Sequence, residues 1–182
     1  MPRQGEIPSN PNCSRVGFRL PSVRSDYEEI IEGVSVLRRV SPGRHEAVCE
    51  ILHAAFAAAL AGNRVARLLE PRSIVQVSAG SLLRPDLALV TAATGKLWLA
   101  VEVVSSTDHR WDTVTKKELY ETAAVPRLWM VDPRYNNVEI YHGSPHGLAL
   151  QHIYAGREEL TEKLLPALKL TVAQLFSPPT TS

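Results

Sequence analysis

The chain has 182 residues, 45% of them hydrophobic, which suits one domain with a single core and leaves too little chain for a second full domain. Its 20 Lys and Arg residues against 19 Asp and Glu residues exclude the strongly basic composition of many nucleic-acid-binding proteins, so any such surface must be local. The 2 cysteines give no disulfide framework and no metal-ligand spacing, which is typical of a reduced, cytoplasmic protein.

Both ends of the chain are polar. Residues 1–20 hold no apolar run long enough for a signal peptide or a membrane span, and the tail 177–182 is equally poor in groups to bury. We therefore expect a disordered leader at 1–20, a single domain at 21–176, a flexible tail and no membrane association.

Between Tyr27 and Gly62 the sequence predicts a strand and a helix. The segment YEEIIEG indicates a short helical or turn start that ends at Gly33, and a strand then begins at Val34. The dipeptide Ser-Pro at 41–42 is typical of a helix start. Apolar residues recur at helical spacing from there until Gly62, so this helix should have one buried face.

The rest of the chain alternates strands and helices. The runs SIVQV and DLALV within 73–90 predict a hairpin, and the almost wholly apolar run at 97–105 predicts a central strand buried on both faces. A helix from Asp112 to Ala124 and the strand RLWMVD follow, which predicts a parallel strand pair with a right-handed crossover. Strands at VEIYH and 148–154 and a short C-terminal helix complete an α/β domain.

Glu102 interrupts the apolar central strand, where an uncompensated charge is costly. It therefore needs a cationic side chain, hydrogen-bond donors or a bound metal ion. Asp86 begins a neighbouring predicted strand, so the two carboxylates can converge, and such oxygen ligands suit Mg²⁺ or Mn²⁺. The alternatives are a structural ion pair of Glu102 with Arg110 or Lys116, and an ordinary strand-start role for Asp86.

Lys116 and Tyr120 are four residues apart on the predicted helix and therefore share a face. If this face packs on the sheet, the Lys116 ammonium approaches the carboxylates, where it can orient an attacking water or stabilise charge on a phosphate. The alternatives are a solvated lysine and a core tyrosine. With a metal ion, these groups suit hydrolysis of a phosphodiester.

The strings RPD at 84–86, VEVVS at 101–105, D-x3-K-x3-Y at 112–120 and the following VPRLWMVD resemble the Uma family of endonucleases, within the PD-(D/E)XK superfamily. EIIEG, SPGRH and LPALKLTVAQLF extend this resemblance over about 27–176. The resemblance implies a restriction-endonuclease-like core, with a central mixed β-sheet flanked by α-helices. It also implies metal-binding acids at Asp86 and Glu102 and Mg²⁺-dependent cleavage of DNA.

The resemblance includes one departure from the superfamily pattern. Val104 stands where the superfamily has lysine, and the family carries that lysine on the following helix, which Lys116 matches. Glu29 and His45 match family positions near the site, so the resemblance implies accessory roles for them. Tyr120 is a third accessory candidate.

The sequence thus predicts an endonuclease that hydrolyses DNA with a metal-activated water. The predicted catalytic and metal-binding groups are Asp86, Glu102, Lys116 and the backbone carbonyl of Val103. Arg84 and Arg110 are predicted nucleic-acid contacts, while Arg38 and Arg72 should lie on solvated faces or near phosphates. The alternatives are a non-catalytic module that binds nucleic acid or protein, and a nuclease that acts on RNA. A homodimer fits cleavage of both strands, because two strands need two sites.

Overall fold

The computed structural model describes residues 26–39, 43–104 and 110–177. The predicted leader at 1–20, the tail after Ser177 and the Ser-Pro helix start at 41–42 lie outside the described residues. In the described ranges, no helix has both the length and the apolar composition that a membrane crossing requires.

The described chain contains ten strands and three α-helices. In chain order they are β1 (Tyr27–Ile31), β2 (Val34–Arg38), α1 (Arg44–Ala59), β3 (Ala66–Leu68), β4 (Val75–Ser78), β5 (Ser81–Leu83), β6 (Leu87–Thr91), β7 (Leu97–Val103), α2 (Lys116–Thr122), β8 (Arg127–Asp132), β9 (Asn137–Ser144), β10 (Gly147–Ala155) and α3 (Val172–Phe176). A π-helical turn, Trp111–Thr115, leads directly into α2. Asp112 therefore lies inside helical backbone rather than at the predicted cap.

A six-stranded mixed sheet in the order β10, β9, β8, β7, β6, β3 forms the centre of the fold. Strands β7 and β8 are parallel, with Glu102 beside Met130, and the other neighbouring pairs are antiparallel. The helical segment before β8 makes the connection that a parallel pair requires. The predicted central mixed sheet and its parallel pair are confirmed.

A second, four-stranded sheet in the order β2, β1, β5, β4 corrects the prediction at Tyr27. This segment is a strand, not a helix or turn, and it pairs along its whole length with β2. The turn residues Glu32 and Gly33 have φ angles of 49° and 81°, as a tight two-residue hairpin turn requires. Neighbouring side chains of this strand point to opposite faces, since Glu29 is buried and Glu28 is exposed.

The predicted hairpin of SIVQV with DLALV is wrong. Strand β4 pairs with the short strand β5, whereas β6 lies in the other sheet between β3 and β7. Pro85 separates β5 from β6, and its missing N–H prevents continuous pairing at the point where the chain passes between the sheets. The strands β3 and β5 were not predicted, because each has three residues and so carries little pattern.

The six-stranded sheet buries both of its faces. One face, called here the α1 face, packs against α1 and α3 through a hydrophobic cluster that includes Leu99, Val101 and Val103 of β7. The opposite face, called here the α2 face, packs against α2 and the four-stranded sheet, and Ala100 belongs to its cluster. Successive strand residues point to opposite faces, so Glu102 also belongs to the α2 face.

Candidate active site

Asp86 and Glu102 meet across neighbouring strands of the central sheet. Leu87 of β6 lies opposite Val101 of β7, so one further step of the antiparallel register brings Asp86 beside Glu102. The Val103 amide donates a hydrogen bond of 2.9 Å to Asp86 Oδ2, which fixes the first acid against the strand of the second. Asp86 is 5% and Glu102 is 2% exposed. The backbone therefore positions two buried carboxylates together.

Lys116 lies between two glutamates. Its Nζ is 2.9 Å from Glu102 Oε2 and 3.0 Å from Glu29 Oε1, and the residue is only 1% exposed. Burial alone would lower the pKa of Lys116, but the charges of Glu102 and Glu29 outweigh this effect and raise the pKa above its ordinary value. The ammonium is therefore charged at neutral pH.

Tyr120 lies one helical turn after Lys116 and contacts the same acid. Its hydroxyl donates a hydrogen bond of 2.6 Å to Glu102 Oε1. Burial, followed by the charge of Glu102, raises the pKa of Tyr120 well above its ordinary value, so the hydroxyl keeps its proton. The shared helical face predicted from the spacing of Lys116 and Tyr120 is confirmed, since both side chains reach Glu102.

Glu29 brings the four-stranded sheet to the site. Its Oε1 accepts a hydrogen bond of 2.7 Å from the Arg84 amide, and Arg38 Nε lies 3.5 Å from its Oε2. The Arg84 guanidinium donates to the carbonyls of Glu28 and Arg72, at 3.1 and 3.2 Å. Arg84 thus links β1 to the segment between β3 and β4, and its contact with nucleic acid stays a prediction.

Asp86 has two cationic neighbours besides Lys116. His45 Nε2 lies 3.5 Å from Asp86 Oδ2, and Arg72 Nε lies 3.4 Å from Oδ1. Burial would raise the pKa of Asp86, but hydrogen bonding to His45 and the charges of His45, Lys116 and Arg72 lower it to about 2. Asp86 is therefore a carboxylate at neutral pH.

His45 belongs to a polar group at the start of α1. Its Nδ1 lies 3.4 Å from Glu46 Oε1 and 3.6 Å from Cys49 Sγ, while Glu46 also pairs with Arg72. Burial disfavours the charged imidazole, but hydrogen bonds to Asp86, Cys49 and Glu46 raise the pKa of His45 above its ordinary value. Burial raises the pKa of the Cys49 thiol to about 12.

Residues 18–173 match the model of the Uma2 family, which is described as "Putative restriction endonuclease". The chain belongs to the Uma2 family. The family resemblance stated from the sequence motifs is therefore confirmed. No curated protein matches the chain.

The Uma2 chain also resembles a solved structure, "Crystal structure of a putative nuclease belonging to DUF820 from Anabaena variabilis ATCC 29413". The TM-score is 0.67 at 15% sequence identity, over 82% of this chain and 89% of that chain. This likeness shows that the two chains share a fold. Together, the Uma2 family and the fold support a nuclease-like function.

Sequence reasoning did not identify every polar residue of this Uma2 site. Arg38 and Arg72 contact acids rather than lying on solvated faces, and Glu46 and Cys49 received no role. The four-residue spacing of His45 and Cys49 on one helical face was the available signal. Arg110 is exposed before the π-helical turn, and its predicted contact with nucleic acid stays a prediction. The same holds for the metal-binding role of the Val103 carbonyl.

Proposed function

We propose that this Uma2 protein is an endonuclease that depends on a divalent cation, Mg²⁺ or Mn²⁺, and hydrolyses phosphodiester bonds of DNA. The observation that most supports this proposal is the position of Asp86 beside Glu102, with the Lys116 ammonium 2.9 Å from the second acid. Two acids and a cation from separate segments would have little reason to be buried together in a domain that only needs to fold.

The donor set fits a hard cation. Asp86 and Glu102 offer carboxylate oxygens and Val103 offers a backbone carbonyl, which are the ligand types that Mg²⁺ and Mn²⁺ prefer. A cation bound by these groups supplies a water of lowered pKa and a positive charge for the phosphate. The ionised state of Asp86 and its attachment to the Val103 amide suit this role, because a ligand must be both deprotonated and held in place.

Lys116 is the residue that we propose for direct contact with the reacting groups. Its ammonium stays charged between Glu102 and Glu29, so it can orient the attacking water and offset the negative charge that develops on the phosphate. Glu29 and Tyr120 position this machinery rather than react. Glu29 holds the ammonium, and Tyr120 fixes the second oxygen of Glu102.

Solvent reaches the site at Asp86, whereas Glu102 and Lys116 are buried. A pocket of about 200 Å³ lies between α1 and the segment around Arg72, and Asp86, Glu46 and Cys49 line it. Arg84 and Arg110 are the proposed contacts with the phosphate backbone, because arginine binds phosphate without reading sequence. Contacts of this kind suit cleavage that does not depend on a sequence-recognition element.

Cleavage of supercoiled plasmid tests the proposal. The wild-type protein should nick the plasmid when Mg²⁺ or Mn²⁺ is present, and EDTA should abolish this cleavage. Asp86→Asn and Glu102→Gln should each lower the rate by roughly a thousandfold, as expected when a group that stabilises transition-state charge is lost. Glu118→Gln is the matched control, because Glu118 is exposed on α2 and should leave the rate unchanged.

Cleavage that persists in both acid variants, or in EDTA, would contradict the proposal. A parallel assay on RNA of matched length tests the alternative substrate. If the protein is instead a non-catalytic binding module, it should bind DNA with an affinity that neither Ca²⁺ nor the acid substitutions change. It should then cleave DNA under no condition.

A further inference from the structure

A cluster of three different metal-ligating side chains shares Asp86 with the candidate active site. It consists of His45, Cys49 and Asp86, and is called here the soft-ligand cluster. One ligand atom from each residue falls within 4.8 Å of the other two. The first two residues are one helical turn apart on α1, and the third precedes β6, so rigid elements hold all three.

The spacing within the soft-ligand cluster fits a tetrahedral cation. With zinc–sulfur and zinc–nitrogen bonds of about 2.3 and 2.0 Å, two such ligands of one ion stand about 3.5 Å apart. Cys49 Sγ and His45 Nδ1 are 3.6 Å apart. The Asp86 oxygen lies within the 4.8 Å span, and Glu46 Oε1, 3.4 Å from His45 Nδ1, becomes a fourth donor when its ion pair with Arg72 opens.

The chemistry of these donors differs from that of the Asp86 and Glu102 pair. A thiolate and an imidazole select Zn²⁺ and related soft or borderline ions, whereas carboxylate and carbonyl oxygens select Mg²⁺ and Mn²⁺. The two donor sets share one residue, Asp86. The pocket of about 200 Å³ is lined by Cys49 and Asp86 and gives an ion access from solvent.

We propose that His45, Cys49 and Asp86 form a Zn²⁺-binding site, and that its occupation inhibits the enzyme by holding Asp86 away from the nuclease cation. The inhibition rests on the proposed nuclease function, whereas the binding site does not. When Zn²⁺ binds, it replaces the thiol proton of Cys49 and the Nδ1 proton of the His45 imidazolium, and both protons pass to solvent. The shared carboxylate makes the two cations competitors.

Titration of the full chain with Co²⁺, a spectroscopic substitute for Zn²⁺, tests the binding site. A sulfur-to-cobalt charge-transfer band should appear in the near ultraviolet and disappear when Zn²⁺ displaces the Co²⁺. Cys49→Ser should abolish the band, whereas Cys13→Ser, which removes the other cysteine, should keep it. His45→Gln should weaken Zn²⁺ binding by at least roughly tenfold, while His53→Gln, beside the same pocket, should leave it unchanged.

A measurement on the wild-type protein makes the test independent of how the variants fold. Peptide mass spectrometry measures the alkylation rate of each cysteine. Bound Zn²⁺ should slow alkylation of Cys49 and leave the alkylation rate of Cys13 unchanged. A band that survives Cys49→Ser, or equal alkylation of Cys49 with and without Zn²⁺, would overturn the binding site.

The nuclease assay then tests inhibition separately. Glu102→Gln should lose cleavage and keep the Co²⁺ band, because Glu102 lies outside the soft-ligand cluster. One equivalent of Zn²⁺ should slow Mg²⁺-dependent cleavage by the wild-type protein, but not by Cys49→Ser. Equal inhibition of both proteins would overturn the inhibitory role. Absence of cleavage without Zn²⁺ would overturn the proposed nuclease function and leave the binding result standing.

Discussion

The two faces of the central sheet are both buried, but they bury different chemistry. On the α1 face, apolar side chains fill the space between sheet and helices, and the Phe56 and Trp129 rings pack edge to face at 5.4 Å. On the α2 face, a second apolar cluster surrounds the ionic group of Glu29, Glu102 and Lys116. One sheet thus separates the apolar packing of the α1 face from the ionic group of the α2 face, which is proposed to perform the chemistry.

Strand β7 shows how this separation is encoded. Val101 and Val103 join the apolar cluster of the α1 face, while Glu102 between them points to Lys116 on the other face. A strand can carry one charged residue without disturbing its neighbours because successive side chains alternate. Buried ion pairs are often no more stabilising than apolar residues of similar volume, so the α2 face should tolerate substitution differently from the α1 face.

The largest expected loss of stability comes from the α1 face. Phe56→Ala should lower the free energy of unfolding by about 4 kcal/mol, because it opens a cavity beside Trp129 in a closely packed cluster. Tyr135→Ala is the control, because Tyr135 is 73% exposed and its loss should cost at most about 1 kcal/mol. Urea unfolding, monitored by circular dichroism, measures the free energy of unfolding of both variants. Similar losses for the two would show that the hydrophobic cluster of the α1 face does not account for the stability.

On the α2 face, Lys116→Met should cost about 3 kcal/mol when measured in EDTA. Methionine fills a similar volume, so the loss of stability measures the effect of removing the positive charge that neutralises Glu29 and Glu102. The double variant with Glu102→Gln should lose less than the sum of the single variants, since it removes one of the two facing carboxylates.

Lys117→Met provides the matched control for Lys116. The Lys117 ammonium lies 4.1 Å from the Tyr141 ring centroid, a contact worth about 1 kcal/mol or less at a partly exposed position. Equal destabilisation by the two lysine substitutions would refute a special role for the buried ionic group.

The smallest of these effects should come from Tyr120→Phe, at about 2 kcal/mol. This change removes a buried hydrogen bond to the charged Glu102, and such bonds are stronger than those between neutral groups. Tyr154→Phe is the control, because its hydroxyl bonds the Thr161 hydroxyl in an exposed position. Indistinguishable unfolding curves for the two variants would show that the Tyr120 bond adds nothing measurable.

Long sequence patterns predicted the central part of the fold. The apolar run of β7, the helix that carries Lys116 and the strand β8 were each found, and their order predicted the parallel pair. The apolar spacing of α1 also predicted its buried face, with Leu52 and Phe56 in the core. These elements are long enough for their hydrophobic periodicity to be distinguished from chance variation in composition.

The remaining differences have two physical causes. Short strands such as β3 and β5 have too few residues to show a period. The segment YEEIIEG resembled a helical or turn start, although its pairing with β2 decides the structure. Partner choice within the site was also beyond sequence reasoning. Arg72 and His45 contact Asp86 because separate segments pack there, and no local pattern records such an arrangement.

The ion pair between Glu29 and Lys116 also has a consequence for synthesis on the ribosome. Both carboxylates that contact the Lys116 ammonium, Glu29 and Glu102, leave the ribosome before it, so a growing polypeptide carries them without this partner. A truncated product that stops ahead of α2 would have to bury those acids uncompensated, which a marginally stable fold does not withstand. Incomplete products should therefore be substrates for proteolysis.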